Sequence, residues 1–220
     1  MDATTIATDD FGNAGTAAVT INSATETSPG VITVQVTPTS AGTLQLKVNA
    51  GTVLKDVAGN NLVTTSAIAD NTSITVNTPF NAWTNSTFAN GTLSNTNMAF
   101  DNDSDGLPTG IEWVGGGDPT LASDAASKAP VFDNTTDPNY FIYTYRRTDA
   151  SNTDPKTGII VEYGNDLGSW DPATPDGTNI IITPSNDFHG AGVDKVEVKI
   201  KRTLAPSGKL FSRLKVVITP

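Results

Sequence analysis

The chain of 220 residues contains no cysteine. Disulfides, thiolate nucleophiles and cysteine-ligated zinc or iron–sulfur centres are therefore excluded. Histidine occurs once, as His189 in "NDFHGAG", and no G-x-S-x-G nucleophile elbow is present. A zinc enzyme and a Ser–His–Asp hydrolase both lack their parts, and His189 reads as a turn residue. Positive charge is also scarce. Lys and Arg number 13 against 23 Asp and Glu, giving a net charge of −10 and an isoelectric point near 4.3. Such a surface repels phosphate backbones and anionic lipid, so neither nucleic acid nor a membrane surface is an expected partner. No apolar run is long enough for a membrane helix, so no membrane span is expected. The opening "MDATTIATDD" has neither the basic start nor the apolar stretch of a signal peptide.

Apolar residues make up only 37% of the chain, but they cluster in short alternating runs divided by Asn, Thr, Ser, Asp and Gly. That pattern marks strands joined by polar turns rather than disorder. In the first third, "TAAVTI" (16–21), "VITVQVT" (31–37), "TLQLKV" (43–48) and "SITV" (73–76) read as strands. Alternation puts Ile32, Val34 and Val36 on one face, and "TSPG" and "TSAG" supply turns. The last ninety residues return to strands: "NYFIYTYRR" (139–147), "GIIVEYG" (158–164), "NIIIT" (179–183), "DKVEVKI" (194–200) and "LFSRLKVVIT" (210–219). Between these regions, residues 79–128 are rich in Asn, Thr and Gly, too poor in helix formers for a long helix. Phe80, Trp83 and Phe88 match one helical face only loosely, and "IEWVGGGDP" allows one or two turns before Gly115–Gly117 stop them.

The stretch "DNDSDGLPTGIEW" (101–113) carries the strongest chemical signal. With Asp101 as position 1, Asp103, Asp105, Gly106, Leu107, Thr109 and Glu112 fall at positions 3, 5, 6, 7, 9 and 12 of a calcium loop, D-x-[DN]-x-[DN]-G-x₅-E. Calcium takes six to eight hard oxygen ligands at about 2.3–2.6 Å. Three short carboxylates at alternate positions can point inward along a tight arc, and Gly106 permits the sharp turn. Leu107 would contribute its carbonyl, Thr109 would act directly or through a water, and Glu112 would return across the loop with both oxygens. The alternative is a solvated acidic turn. Four acids crowded without an ion repel one another, so ion binding should couple to ordering.

Two resemblances extend this reading. "SPGVITVQVTPTSAGTLQLKVNAGTVLKDVAGNNL" resembles the second half of a bacterial immunoglobulin-like repeat, with Asp56, Ala58, Gly59 and Asn60 as its turn before the last strand. The resemblance implies one or two strands ahead of "TAAVTI" that are not found there. The domain would then be N-terminally incomplete, with an edge open to a neighbouring module or another copy of the chain. "DNDSDGLPTGIEWVGGGDPT" resembles the thrombospondin type 3-like calcium repeats of secreted bacterial proteins, with Pro108 and Gly110 as departures that touch no ligand. Together with "YFIYTYRR", "VEYGNDLGSW", "GVDKVEVKI" and "KLFSRLKVVIT", it looks like the C-terminal β-domain of large secreted surface proteins of Gram-negative bacteria. This implies an extracellular, cell-surface location and no known reaction.

The expected fold class is all-β: two antiparallel, immunoglobulin-like β-sandwiches joined by a short calcium-binding loop module. The expected domains are 1–78, a linker module at 79–128, and 129–220. The expected function is non-catalytic, structural or adhesive, in a surface protein or self-assembling appendage, with calcium as the cofactor. Trp83, Trp113 and Trp170, with Tyr140, Tyr143, Tyr145 and Tyr163, could instead form a sugar-stacking platform, making polysaccharide the partner of an alternative carbohydrate-binding module. A core role is favoured for Tyr143 and Tyr145, a packing role for Trp113 and a buried anchor for Trp170.

Overall fold

The computed structural model describes residues 1–62, 64–205 and 207–219. The chain is mostly β, built from several antiparallel sheets, and divides into two compact units, Met1–Thr78 and Pro79–Pro220.

The first unit contains β1 (Phe11–Asn13), β2 (Val19–Ser28), β3 (Val31–Pro38), β4 (Gly42–Leu44), β5 (Leu46–Val48), β6 (Ile68–Ala69) and β7 (Ile74–Val76). β2 and β3 form a hairpin whose turn places Gly30 at φ 78°, a conformation that suits glycine. The alternation read in "VITVQV" holds: Ile32, Val34 and Val36 are half-buried, and Val31, Thr33 and Gln35 are exposed. β1 is a strand ahead of "TAAVTI" that sequence reading misses, because "FGN" is too short to alternate. It pairs with β5, which also pairs with β6. "TLQLKV" is two strands rather than one, since β4 pairs with β7 instead. The break falls at Gln45, whose N–H donates to the Asn13 side chain at 2.6 Å. Asn13 also donates to the carbonyls of Ala17 and Thr43, taking ladder partners that a continuous strand would need. Only Phe11, Ala17 and Leu54 are fully buried apolar residues among those described in this unit.

The second unit contains α1 (Pro79–Thr84), α2 (Thr109–Gly115), α3 (Ala125–Lys128) and α4 (Asp149–Thr153). Its strands are β8 (Val131–Asp133), β9 (Tyr140–Thr148), β10 (Thr157–Gly164), β11 (Asp171–Pro172), β12 (Ile180–Ser185), β13 (Val193–Lys201) and β14 (Phe211–Ile218). One sheet runs β12-β13-β9-β8 and the other β11-β10-β14. Burial alternates strictly along β13 and through the first six residues of β9. The inward residues Tyr143, Tyr145, Val196, Val198 and Ile200 of one sheet share a core with Val161, Leu214 and Val216 of the other. Phe80, Trp113 and Val114 belong to the same core. Residues 79–128 are therefore not a separate linker module: they belong to the second unit, with Phe80, Trp113 and Val114 in its core.

The structure also settles the aromatic residues. Tyr143 and Tyr145 are buried, as favoured. Trp113 is buried, and Trp83 packs on it and on Phe80 and Phe88. Trp170 is only half-buried, a correction to its expected place, and lies 4.2 Å from the Arg213 guanidinium. His189 is exposed.

Candidate metal centre

The loop between Phe100 and α2 is shaped largely by its own hydrogen bonds. Gly106 sits at φ 94° and Ser104 at φ 65°, so the backbone curls tightly enough for several N–H groups to face inward. Asp101 accepts from Ser104 N–H at 2.8 Å and from Gly106 N–H at 2.9 Å through its two oxygens. Asn102 pins the outside of the loop, donating to the Asn95 carbonyl and to the Thr109 hydroxyl. Gly110, which departs from the repeat pattern, approaches Met98 closely: its N–H donates to the Met98 carbonyl at 2.8 Å, and an added Cβ would lie 3.1 Å from that oxygen. The departure thus serves packing.

α2 begins after Pro108 and ends at Gly116, which caps it in the left-handed conformation with φ 69°. The helix is anchored on both sides. Trp113 Nε1 donates to Thr157 Oγ1 at 3.1 Å, and the Trp113 carbonyl accepts from Thr148 Oγ1. This fixes Glu112, whose side chain is fully buried.

Asp105 and Glu112 meet a further acid, Asp124, from the turn that precedes α3. Ligand-type oxygens of Asp101, Asp103 and Asp105 lie within 4.8 Å of one another, as do those of Asp105, Glu112 and Asp124. The division of labour among the oxygens is consistent. Asp103 Oδ1 accepts from Asp105 N–H, Asp105 Oδ1 from Leu107 N–H, and Asp124 Oδ2 from Asp118 N–H at 3.0 Å. Their other oxygens, Asp103 Oδ2, Asp105 Oδ2 and Asp124 Oδ1, are buried with no hydrogen-bond donor, and so are both oxygens of Glu112. Buried polar atoms are ordinarily satisfied, and a buried unpaired carboxylate is costly. Five such oxygens, on acids of two clusters that share Asp105, form a donor set of hard, anionic groups that fits a divalent cation preferring oxygen.

Titration behaviour agrees with the crowding. Burial, reinforced by the charges of Asp103, Asp105, Asp124 and Asp101, pushes Glu112 up to about 8. Burial and the Asp105 charge raise Asp103. Asp101 behaves oppositely: burial opposes its charge, but the N–H groups of Gly106, Ser104 and Asp105 hold it below the usual carboxylate range.

Of the residues expected to ligate, Asp101 and Asp103 lie close to Asp105, and Asp105 lies close to Glu112. Leu107 is half-buried at the loop's exit. The buried Thr109 hydroxyl donates to the Phe100 carbonyl at 2.7 Å and accepts from Asn102. Asp124 was missed because it lies twelve residues beyond Glu112, outside the loop pattern. The signal available was "GGGDP", since Asp118 delivers the N–H that orients Asp124.

No family model, curated protein or solved structure matches this chain. Function must therefore be argued from the site itself.

Proposed function

We propose that this chain is a non-catalytic, extracellular structural module whose C-terminal unit is stiffened by a bound calcium ion. The observation that carries the reading is the set of five buried, donor-free carboxylate oxygens on Asp103, Asp105, Glu112 and Asp124. Calcium is favoured among hard cations because it accepts many carboxylate oxygens, including a bidentate glutamate, in flexible geometry. With Glu112 carried on α2 beside the core residues Trp113 and Val114, the ion's role is to order that unit from the margin of its core. Each unit is taken as an immunoglobulin-like sandwich, a reading supported in the second by two sheets that share one core. A surface or adhesive role agrees with the acidic charge. The sugar-platform alternative loses support, since Trp113, Tyr143 and Tyr145 are turned inward.

The deciding experiment is the calcium content and thermal melt of the purified chain, with and without chelator. One ion per chain is expected. At calcium a hundredfold above the dissociation constant, binding adds about 2.7 kcal/mol of stability. No bound ion and an unchanged melt would refute the proposal.

A further inference from the structure

We infer that Asp124 is a direct ligand of the ion, and that the ion thereby cross-links the acidic loop to the segment 118–128. This rests on the calcium reading above and adds a residue that the twelve-position loop pattern does not contain.

Four observations support it. Asp124 Oδ1 is buried and has no donor, while Oδ2 is held by Asp118 N–H, so the carboxylate is clamped with one oxygen free. A ligand-type oxygen of Asp124 lies within 4.8 Å of those of Asp105 and Glu112. Glu112, fully buried with both oxygens unpaired, belongs to the same group. The ninth loop position, where a hydroxyl or bridging water is expected, is occupied by Thr109 with its hydroxyl committed elsewhere. Asp124 supplies from outside the loop the oxygen that Thr109 does not.

The consequence is mechanical. Asp118 accepts from Ala89 N–H at 2.9 Å, and Lys128 donates to the Gly116 carbonyl at 2.6 Å. The segment 118–128 is thus tied to both the region after α1 and the end of α2. An ion shared between Glu112 and Asp124 closes this ring of contacts, which without it holds several acids against each other. Calcium should therefore order two segments rather than one loop.

The test uses the full chain, titrated with calcium by calorimetry and followed by backbone hydrogen exchange. Three proteins are compared: wild type, Glu112→Gln and Asp124→Asn. Asparagine keeps an oxygen to accept Asp118 N–H, so the turn survives while the anionic ligand is lost. Asp124→Asn is expected to weaken calcium binding by about tenfold or more, since ligand charge sets affinity in such sites. Calcium should slow exchange across both 103–107 and 118–128 in the wild type, and only across 103–107 in Asp124→Asn. Wild-type affinity in Asp124→Asn would overturn the inference, as would calcium protection confined to the loop in the wild type; loss of binding in Glu112→Gln would in either case leave the calcium reading intact. A wild-type chain that binds no calcium would overturn both.

Discussion

Glu112 concentrates the chemistry of this protein in one side chain. In the calcium-free chain burial, with the charges of four nearby acids, raises its affinity for a proton from an ordinary 4.5 to about 8. The sign of the stability effect follows. Below about 4.5 the group is protonated folded or unfolded and contributes no pH dependence; between about 4.5 and 8 only the folded chain holds the proton. Stability of the calcium-free protein should therefore fall as pH rises through that window. Glu112→Gln removes the ionisable group, so in chelator the variant should melt higher than wild type near pH 8 and lose this pH dependence. In calcium the order should reverse, because the variant gains little from the ion. Melting curves over pH, with and without calcium, check all three statements; a variant that melts below wild type in chelator at pH 8 would contradict them.

At the level of elements, α2 owes its position to its ends as much as to its apolar face. Pro108 starts it, Gly116 stops it, and Gly117 then passes directly beside the Glu112 side chain. A Cβ on Gly117 would sit 3.1 Å from Glu112 Cβ and 3.2 Å from its Oε1. Gly117→Ala should thus shift a ligand without deleting one, weakening calcium binding by about tenfold, the low end of what changes in the supporting shell commonly cost. Gly115→Ala is the control: its Cβ would meet only the Lys128 carbonyl at 3.5 Å. Equal calcium affinity in the two variants would contradict this account. Element boundaries were legible in sequence where alternation was long, as in β9, β13 and β14. They were not legible in β1, β6, β8 and β11, each of two or three residues, where pairing partners rather than propensity create the strand.

At the scale of the whole molecule, the two units differ in what holds them. The first buries few apolar side chains and relies on hydrogen-bonded turns, such as Asp56 accepting from Ala58 and Asn60 N–H groups. The second has an extended apolar core with the acidic site at its margin. A fragment of residues 79–220 should therefore retain the whole calcium-dependent rise in melting temperature, and a fragment of residues 1–78 should melt independently of calcium. Calorimetry on the two fragments tests this, and a calcium response in the shorter one would contradict it. No helix among the described residues is long and apolar enough to cross a membrane.

The amino-acid sequence alone determined the strand-rich class, the break at residue 78, and the loop with Asp101, Asp103, Asp105 and Glu112, because alternation and close spacing are local properties of a chain. Tertiary structure decided the rest. It merged residues 79–128 with the C-terminal strands, since Phe80 and Trp113 needed an apolar partner that no local pattern specifies. It divided "TLQLKV" between two sheets through the side chain of Asn13, thirty-two residues from Gln45. It committed the Thr109 hydroxyl to the Phe100 carbonyl and brought Asp124 beside Asp105 and Glu112, because a folded chain gathers acids by distance in space, and the eleven residues of intervening helix and turn hide that proximity from any reading along the chain.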